Sequence, residues 1–133
     1  MDQLLTILLV DDSGDDRFFF RRALSRAGLQ TQLFEAEDGV EAVEFLSNQG
    51  RFSDPAAFPR PRVVFLDLSM PGRNGFDVLR WLQTQTFRDE LRVVVLSGSS
   101  EPHDRELAAS LGANDYLVKP ATVEKLKGHL AAF

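Results

Sequence analysis

The sequence contains no cysteine, so it can form neither a disulfide bond nor a thiolate metal site. Basic residues are in the minority: lysine and arginine total 15 against 20 aspartates and glutamates, and the net charge is -5. Such a chain lacks the basic surface that binds nucleic acid or anionic lipid. No apolar run approaches the ~18 residues of a membrane span, and no basic segment leads into an apolar one at the start. We therefore expect a cytoplasmic protein with no nucleic-acid and no membrane partner.

The composition is that of an ordinary folded domain. Hydrophobic residues make up 44% of the 133 residues and charged residues 26%, far from the low hydrophobicity of disordered chains. A chain of this length suits one compact domain. We expect a single domain over residues 1–133 with no attached output domain, because Phe133 directly follows the last predicted helix.

Five short aliphatic runs alternate with segments of helical period, a pattern typical of βαβ units around a parallel sheet. The predicted strands cover residues 7–10, 32–35, 63–66, 93–96 and 116–118, and the predicted helices cover residues 15–27, 40–48, 75–85, 102–111 and 122–132. The second run is more polar, which predicts an edge strand. Right-handed crossovers favour an α/β, flavodoxin-like, doubly wound five-stranded parallel sheet of order 2-1-3-4-5 with five helices, although other doubly wound orders stay open.

Acidic residues follow two of the predicted strands. Asp11 and Asp12 come directly after the first strand, and Asp67 comes directly after the third. In the favoured order these strands are neighbours, and ligands of open α/β sheets bind beyond such carboxyl ends. Three converging carboxylates repel one another unless a cation lies between them, and hard oxygen ligands suit Mg²⁺, with Mn²⁺ as a substitute. A simpler interpretation is that Asp11 and Asp12 only open a loop and help to cap the first helix.

Two complementary groups follow the other strands: Ser97 after the fourth and Lys119 after the fifth. A hydroxyl and an ammonium facing the acids can hold phosphoryl oxygens while Asp67 attacks, although each alone is an ordinary polar residue at a strand end. The Lys119–Pro120 bond is a candidate cis peptide because it lies at a tight strand-to-helix junction. The proline- and glycine-rich loop after Asp67 makes the backbone carbonyl of Ser69 a further candidate metal ligand.

Four segments, in this order, resemble the receiver domain of two-component response regulators: VDDS at 10–13, LDLSMPGRNG at 66–75, SG at 97–98 and GANDYLVKP at 112–120. The resemblance implies that Asp67 accepts a phosphoryl group from the phosphohistidine of a sensor histidine kinase. It also implies that Mg²⁺ is held by Asp12, Asp67 and the Ser69 carbonyl, with Asp11 acting largely through water. Such a chain is a phosphoacceptor with self-catalysed phosphotransfer and autodephosphorylation, and is not a conventional enzyme.

The resemblance further implies a switch. Ser97 would swing toward the phosphoryl group and Tyr116 would turn inward behind it, remodelling the face formed by the fourth helix, fifth strand and fifth helix. Tyr116 also fits the simpler role of a half-buried packing aromatic. Ser69 and Ser99 occupy the two positions that tune loss of phosphate in this family, and Ser97 stands where threonine is commoner.

The long loop before the third strand and the run at 91–99 resemble the stand-alone receivers that accompany phytochrome kinases. This resemblance implies a phytochrome as a possible kinase partner and a separate downstream protein. It also implies a homodimer through the fourth-helix and fifth-strand face or the C-terminal helix.

Aromatic residues include a run on the first predicted helix, where the phase of the later apolar residues predicts that Phe19 and Phe20 face inward and Phe18 outward. An exposed Phe18 beside the acidic residues is a candidate for kinase docking, although a lone exposed aromatic is common. Phe52 and Phe58 either cover the underside of the long loop or extend an interface. The two histidines, His103 and His129, are expected to be solvated.

Two alternative functions remain. Phosphatases of the haloacid dehalogenase type also use an aspartate nucleophile, Mg²⁺ and a lysine, but they need a second carboxylate two residues after the nucleophile, where this chain has Ser69. A degenerate receiver that acts only as a binding module would usually have lost one of the five site residues, which are Asp11, Asp12, Asp67, Ser97 and Lys119. All five are present, which favours a working phosphoacceptor.

Overall fold

The parallel sheet and its strand order are as predicted. The structure, a computed structural model, describes residues 4–68 and 74–133. The strands of its one sheet lie in the order β2-β1-β3-β4-β5, all parallel: β1 Leu5–Val10, β2 Thr31–Ala36, β3 Val63–Asp67, β4 Arg92–Ser97 and β5 Asp115–Val118. The flavodoxin-like order 2-1-3-4-5 is thereby confirmed.

Among the described residues, five α-helices connect and flank the strands: α1 Gly14–Arg26, α2 Gly39–Leu46, α3 Gly75–Gln83, α4 Pro102–Ser110 and α5 Val123–Leu130. Polar residues begin four of them, since Ser13, Asp38, Asn74 and Thr122 each accept a hydrogen bond from a backbone N–H of the first turn. These bonds satisfy amides that have no partner within the helix. No helix in the described ranges is both long and apolar enough to cross a membrane.

Two apolar clusters, one on each face of the sheet, form the core. Leu8 and Leu66 point to the cluster shared with α2, α3 and α4, while Leu9 and Phe65 point to the cluster shared with α1 and α5. Burial on both faces explains why the central strands are almost wholly apolar. The predicted edge position of β2 is confirmed, and most of its residues are only partly buried.

The long loop between α2 and β3 packs on the sheet through its aromatic side chains. Phe52 is buried, and its ring lies 5.1 Å from that of Phe45 and 5.2 Å from that of Phe58. The side-chain amide of Asn48 donates to the backbone carbonyls of Phe52 and Phe58, at 3.0 Å each. Both loop phenylalanines therefore cover the underside of their own loop.

The inward stripe of α1 is narrower than predicted. Phe20 is 3% exposed, whereas Phe18 is 47% and Phe19 is 62% exposed, so the prediction that Phe19 faces inward is wrong. The buried stripe runs through Phe20 and Leu24, and Phe19 lies ~100° around the helix from Phe20. Two adjacent aromatic rings are therefore exposed on this helix.

His129 also differs from its prediction. Its Nδ1 atom lies 2.7 Å from a carboxylate oxygen of Asp115, and the side chain is mostly buried. Arg92 approaches the same oxygen at 3.4 Å. The pairing arises because the last turn of α5 passes the start of β4 and β5, a proximity that no local pattern encodes.

Candidate functional site

The candidate site lies at the carboxyl edge of the sheet. Strand register pairs Val10 with Leu66, Asp67 with Leu96, and Ser97 with Val118. Because adjacent strands end level with one another, the residues at or just beyond their ends meet. The register thus brings together side chains that are far apart in sequence.

Three carboxylates gather at the end of β1 and β3. Asp11, Asp12 and Asp67 each offer an oxygen atom, and these atoms all lie within 4.8 Å of one another. Asp11 and Asp67 are buried, while Asp12 is exposed. The donor set suits a hard divalent cation that keeps some of its water, since two ligands are enclosed and one faces solvent. Ser69, predicted to add its carbonyl and to tune phosphate loss, lies outside the described residues.

Lys119 joins the carboxylates from β5. Its Nζ atom lies 2.8 Å from an oxygen of Asp16, 3.0 Å from Asp11 and 3.4 Å from Asp67. Desolvation alone would lower the pKa of Lys119, but its hydrogen bonds to Asp16 and Asp11 and the charges of Asp67 and Asp11 raise it well above its usual value. The side chain is therefore a permanent cation in the acidic cluster.

The two predicted switch residues lie on neighbouring strands, Ser97 at the end of β4 and Tyr116 in β5. Ser97 is buried, and its Oγ accepts a hydrogen bond from the backbone N–H of Ser99 at 3.0 Å. The hydroxyl of half-buried Tyr116 donates to the carbonyl of Ser99 at 2.8 Å. The guanidinium of Arg105 lies over the Tyr116 ring at 4.7 Å. Ser97 and Tyr116 thus both bond to the backbone of Ser99, Ser97 at its N–H and Tyr116 at its carbonyl.

Backbone geometry places Lys119 and Asp11. The Lys119–Pro120 peptide bond is cis, the form that the sequence favours for this junction, and the Lys119 N–H donates to the carbonyl of Ser97 at 2.7 Å. The Asp11 carboxylate accepts from the Ser13 N–H at 2.9 Å. Asp11 is held at its backbone too, since Arg17 Nη1 donates to its carbonyl at 2.7 Å.

Sequence reasoning missed two residues of this site, Asp16 and Arg17. Asp16 lies in the acidic first turn of α1, and its carboxylate makes the shortest contact with Lys119. Arg17 links the Asp11 carbonyl to Glu35 on β2, with Nε 3.2 Å from the Glu35 carboxylate. The usable signal was spacing: the first turn of a helix that starts directly after Asp11 and Asp12 must overlie them.

An apolar cavity of about 310 Å³ borders the site between α1 and the start of α5. Phe19, Phe20 and Pro120 line it, together with Asp16 and Lys119. Phe18, the predicted docking residue, does not line this cavity, but its ring contacts that of Phe19 at 5.5 Å. The exposed rings of α1 therefore lie next to the charged cluster.

Comparison with known proteins agrees with this geometry. The sequence model of the family described as "Response regulator receiver domain" matches residues 7–131. Response regulator MprA of Mycobacterium sp. (strain KMS) is 36% identical over 126 residues, which are 95% of this chain and 49% of that protein. The chain thus spans about half the length of this curated relative.

Solved structures are similar over nearly the whole chain. The bacteriophytochrome response regulator RtBRR superposes with a TM-score of 0.85 and 32% identity, covering 97% of this chain and 77% of that one. The Mn(2+)-bound form of response regulator Rcp1 gives a TM-score of 0.78 and 30% identity, covering 96% of this chain and 89% of that one.

Proposed function

This chain belongs to the response regulator receiver domain family, and from that premise we propose that Asp67 accepts a phosphoryl group from a sensor histidine kinase. The observation that carries the proposal is the meeting of Lys119 with Asp11 and Asp67 at one edge of the sheet. A buried nucleophilic carboxylate beside a cation and a metal-binding acid pair matches the needs of phosphoryl transfer.

The proposed transfer is a displacement at phosphorus. An oxygen of the Asp67 carboxylate attacks the phosphorus of a phosphohistidine, the new P–O bond forms, and the P–N bond breaks with the electron pair leaving on the imidazole nitrogen. Loss of phosphate is a hydrolysis: water attacks the phosphorus, the P–O bond to Asp67 breaks, and the carboxylate and inorganic phosphate are released. Lys119 would neutralise the phosphoryl oxygens in both steps.

A divalent cation, Mg²⁺ with Mn²⁺ as substitute, is part of the proposal. Asp11, Asp12 and Asp67 would hold it, because their oxygens are close enough to share one ion and are of the chemical type that it prefers. When bound, such an ion neutralises charge on the phosphoryl oxygens. The existence of a Mn(2+)-bound form of the similar response regulator Rcp1 supports a divalent cation in the proposal. The Ser69 carbonyl remains a proposed further ligand.

The proposed readout uses the contacts at Ser97, Ser99 and Tyr116. The Ser97 Oγ now accepts from the Ser99 N–H, and a phosphoryl group on Asp67 would offer the Ser97 hydroxyl a charged acceptor to donate to. Movement of Ser97 would disturb Ser99, and the Tyr116 hydroxyl would lose its carbonyl partner. Remodelling of the α4 and β5 face would then follow. Ser99 is proposed, with Ser69, to tune phosphate loss.

The proposed partners follow from the structural relatives. Likeness to the bacteriophytochrome response regulator RtBRR favours a phytochrome-type kinase and a stand-alone regulator whose output is carried by another protein. An ATP-driven kinase supplies phosphate in the cytoplasm, where we place the chain. We also propose a homodimer through the α4 and β5 face or α5. Light scattering that finds only monomer at all concentrations, with and without phosphorylation, would contradict the dimer.

The central test is phosphorylation by acetyl phosphate with Mg²⁺, followed by intact mass measurement. The wild type should gain the mass of one phosphoryl group in a form that is stable to acid and labile to base. Asp67→Asn should gain none, while Asp89→Asn, a change of the same kind at an exposed residue, should behave as wild type. No gain in wild type, or a gain that survives in Asp67→Asn, would refute the proposal.

The same experiment tests both alternatives. A binding module would take up no phosphoryl group at all. A phosphohydrolase would turn over varied phosphomonoesters, which a receiver does not.

A further inference from the structure

We propose that Asp16 is a positioning residue that holds Lys119 in the resting state and competes for its ammonium with a phosphoryl group on Asp67. This inference rests on the proposed function. It assigns a regulatory role to a helix residue that the acceptor chemistry itself does not require.

Lys119 has a limited number of hydrogen-bond donors. An ammonium group has three N–H donors and no acceptor. The three carboxylates of Asp16, Asp11 and Asp67 already surround Nζ at 2.8, 3.0 and 3.4 Å. A phosphoryl group on Asp67 replaces the one Asp67 oxygen of this set with three terminal oxygens, so the acceptors around the ammonium outnumber its three donors and one of them is displaced.

Solvent exposure decides which of these carboxylates gives up the ammonium. The side chain of Asp16 is 44% exposed, whereas those of Asp11 and Asp67 are 2% and 6% exposed. A released Asp16 carboxylate regains water, while a released Asp11 carboxylate stays desolvated at high cost, and Asp67 itself carries the phosphoryl group. Asp16 is therefore the acceptor that gives up Lys119 when a phosphoryl group, with its ~1.5–2 negative charges, arrives.

The position of Asp16 is set by its helix. Its backbone N–H donates to the capping hydroxyl of Ser13 at 3.1 Å, in the first turn of α1. The neighbouring Asp15 is exposed, and no hydrogen bond or ion pair among the described side chains joins it to Lys119. Asp15 is thus a matched control: the same charge on the same helical turn, without the contact.

The test measures the affinity for trifluoroberyllate, which binds a carboxylate oxygen and presents three electronegative atoms as a phosphoryl group does. Binding is followed by fluorine NMR at saturating Mg²⁺. Asp16→Asn should bind roughly three- to fivefold more tightly than wild type, the scale of an exposed ion pair that no longer competes. Asp15→Asn should match wild type, and Asp16→Glu, which keeps the negative charge, should have an affinity close to that of wild type.

A double-mutant cycle separates competition for Lys119 from a general loss of negative charge. In a Lys119→Gln background, Asp16→Asn should leave the affinity unchanged, because no ammonium remains to be released. An equal gain in that background, or equal affinities for Asp16→Asn and Asp15→Asn, would overturn the inference. Urea denaturation of each variant checks that the fold is kept.

Failure of the proposed function would look different. Wild type would then take up no phosphoryl group from acetyl phosphate, or trifluoroberyllate would bind Asp67→Asn as well as it binds wild type. If wild type passes both tests and the Asp16 variants show no difference from Asp15→Asn, only the inference on Asp16 falls.

Discussion

Gly75 packs directly against the backbone that follows Asp67. A Cβ atom built on Gly75 would lie 2.8 Å from the Cα of Leu68 and would also collide with the Asp67 carbonyl oxygen. The first turn of α3 is thereby seated on the end of β3. This contact fixes where the proposed acceptor points, because Asp67 is the last residue of that strand.

Gly75→Ala should destabilise the protein and impair phosphorylation. The added methyl group meets backbone atoms that cannot turn away, and overpacking of this kind costs ~1–3 kcal/mol. Displacement of Asp67 should slow phosphorylation by acetyl phosphate. Urea denaturation and intact mass measurement check the two effects.

Gly128→Ala is the control for this change. Gly128 lies within α5, is exposed, and has open space where a Cβ would go. Alanine there should stabilise the protein by ~0.5–1 kcal/mol, because it favours the helix, and should leave phosphorylation unchanged. Equal stability changes for the two variants would contradict the close packing at Gly75.

Tyr116→Phe should loosen the segment after β4. The change removes the hydroxyl that donates to the Ser99 carbonyl and keeps the ring beneath Arg105. One such hydrogen bond contributes ~0.5–1.5 kcal/mol, so the free energy of unfolding should fall by about that amount. Amide hydrogen exchange in residues 98–101 should accelerate. Unchanged exchange there would show that the hydroxyl does not restrain the segment.

Stability at acid pH should depend on Asp115. Desolvation would raise the pKa of this residue, but the Tyr116 N–H and the neighbouring His129 and Arg92 lower it below its usual value. A carboxyl whose folded-state pKa is depressed stabilises the fold above its unfolded value of about 3.9, and that stability is lost as the pH falls through the folded value.

Asp115→Asn should therefore be less stable than wild type near neutral pH and equal to it at the acid end. The difference should stay below ~1 kcal/mol, because the side chain is 36% exposed and its ion pairs are screened. Thermal denaturation across the pH range measures it. Asp89→Asn, at an exposed position, should show a smaller pH-dependent difference. A constant difference for Asp115→Asn at every pH would contradict this assignment.

Phe18→Ala and Phe19→Ala should slow phosphotransfer from a cognate histidine kinase and leave the fold intact. Both rings are exposed on α1, and Phe19 also lines the cavity that Lys119 borders, so its truncation should cost at least as much rate. Phosphorylation by acetyl phosphate, which needs no docking surface, should be unchanged in both. Unchanged transfer from the kinase in both variants would remove docking through α1.

The strands and the polar residues that follow them were predictable because their signals are local. An aliphatic run such as residues 63–66 specifies a buried strand, and the polar residue that follows it must lie at the sheet edge. Helix bounds were less exact, ending one or two residues earlier than predicted, because the last turn lacks internal partners. The inward placement of Phe19 failed because phase alone does not give the width of a buried stripe.

The sequence by itself determined which segments form strands, the aspartates and lysine that follow them, and the turn chemistry around them. These properties depend on each residue and its neighbours in the chain. Only the tertiary structure decided that Lys119 takes Asp16 as its nearest partner and that His129 pairs with Asp115. Such pairings depend on how a helix is seated against a strand end, and that seating is set by packing of the whole core rather than by any local pattern.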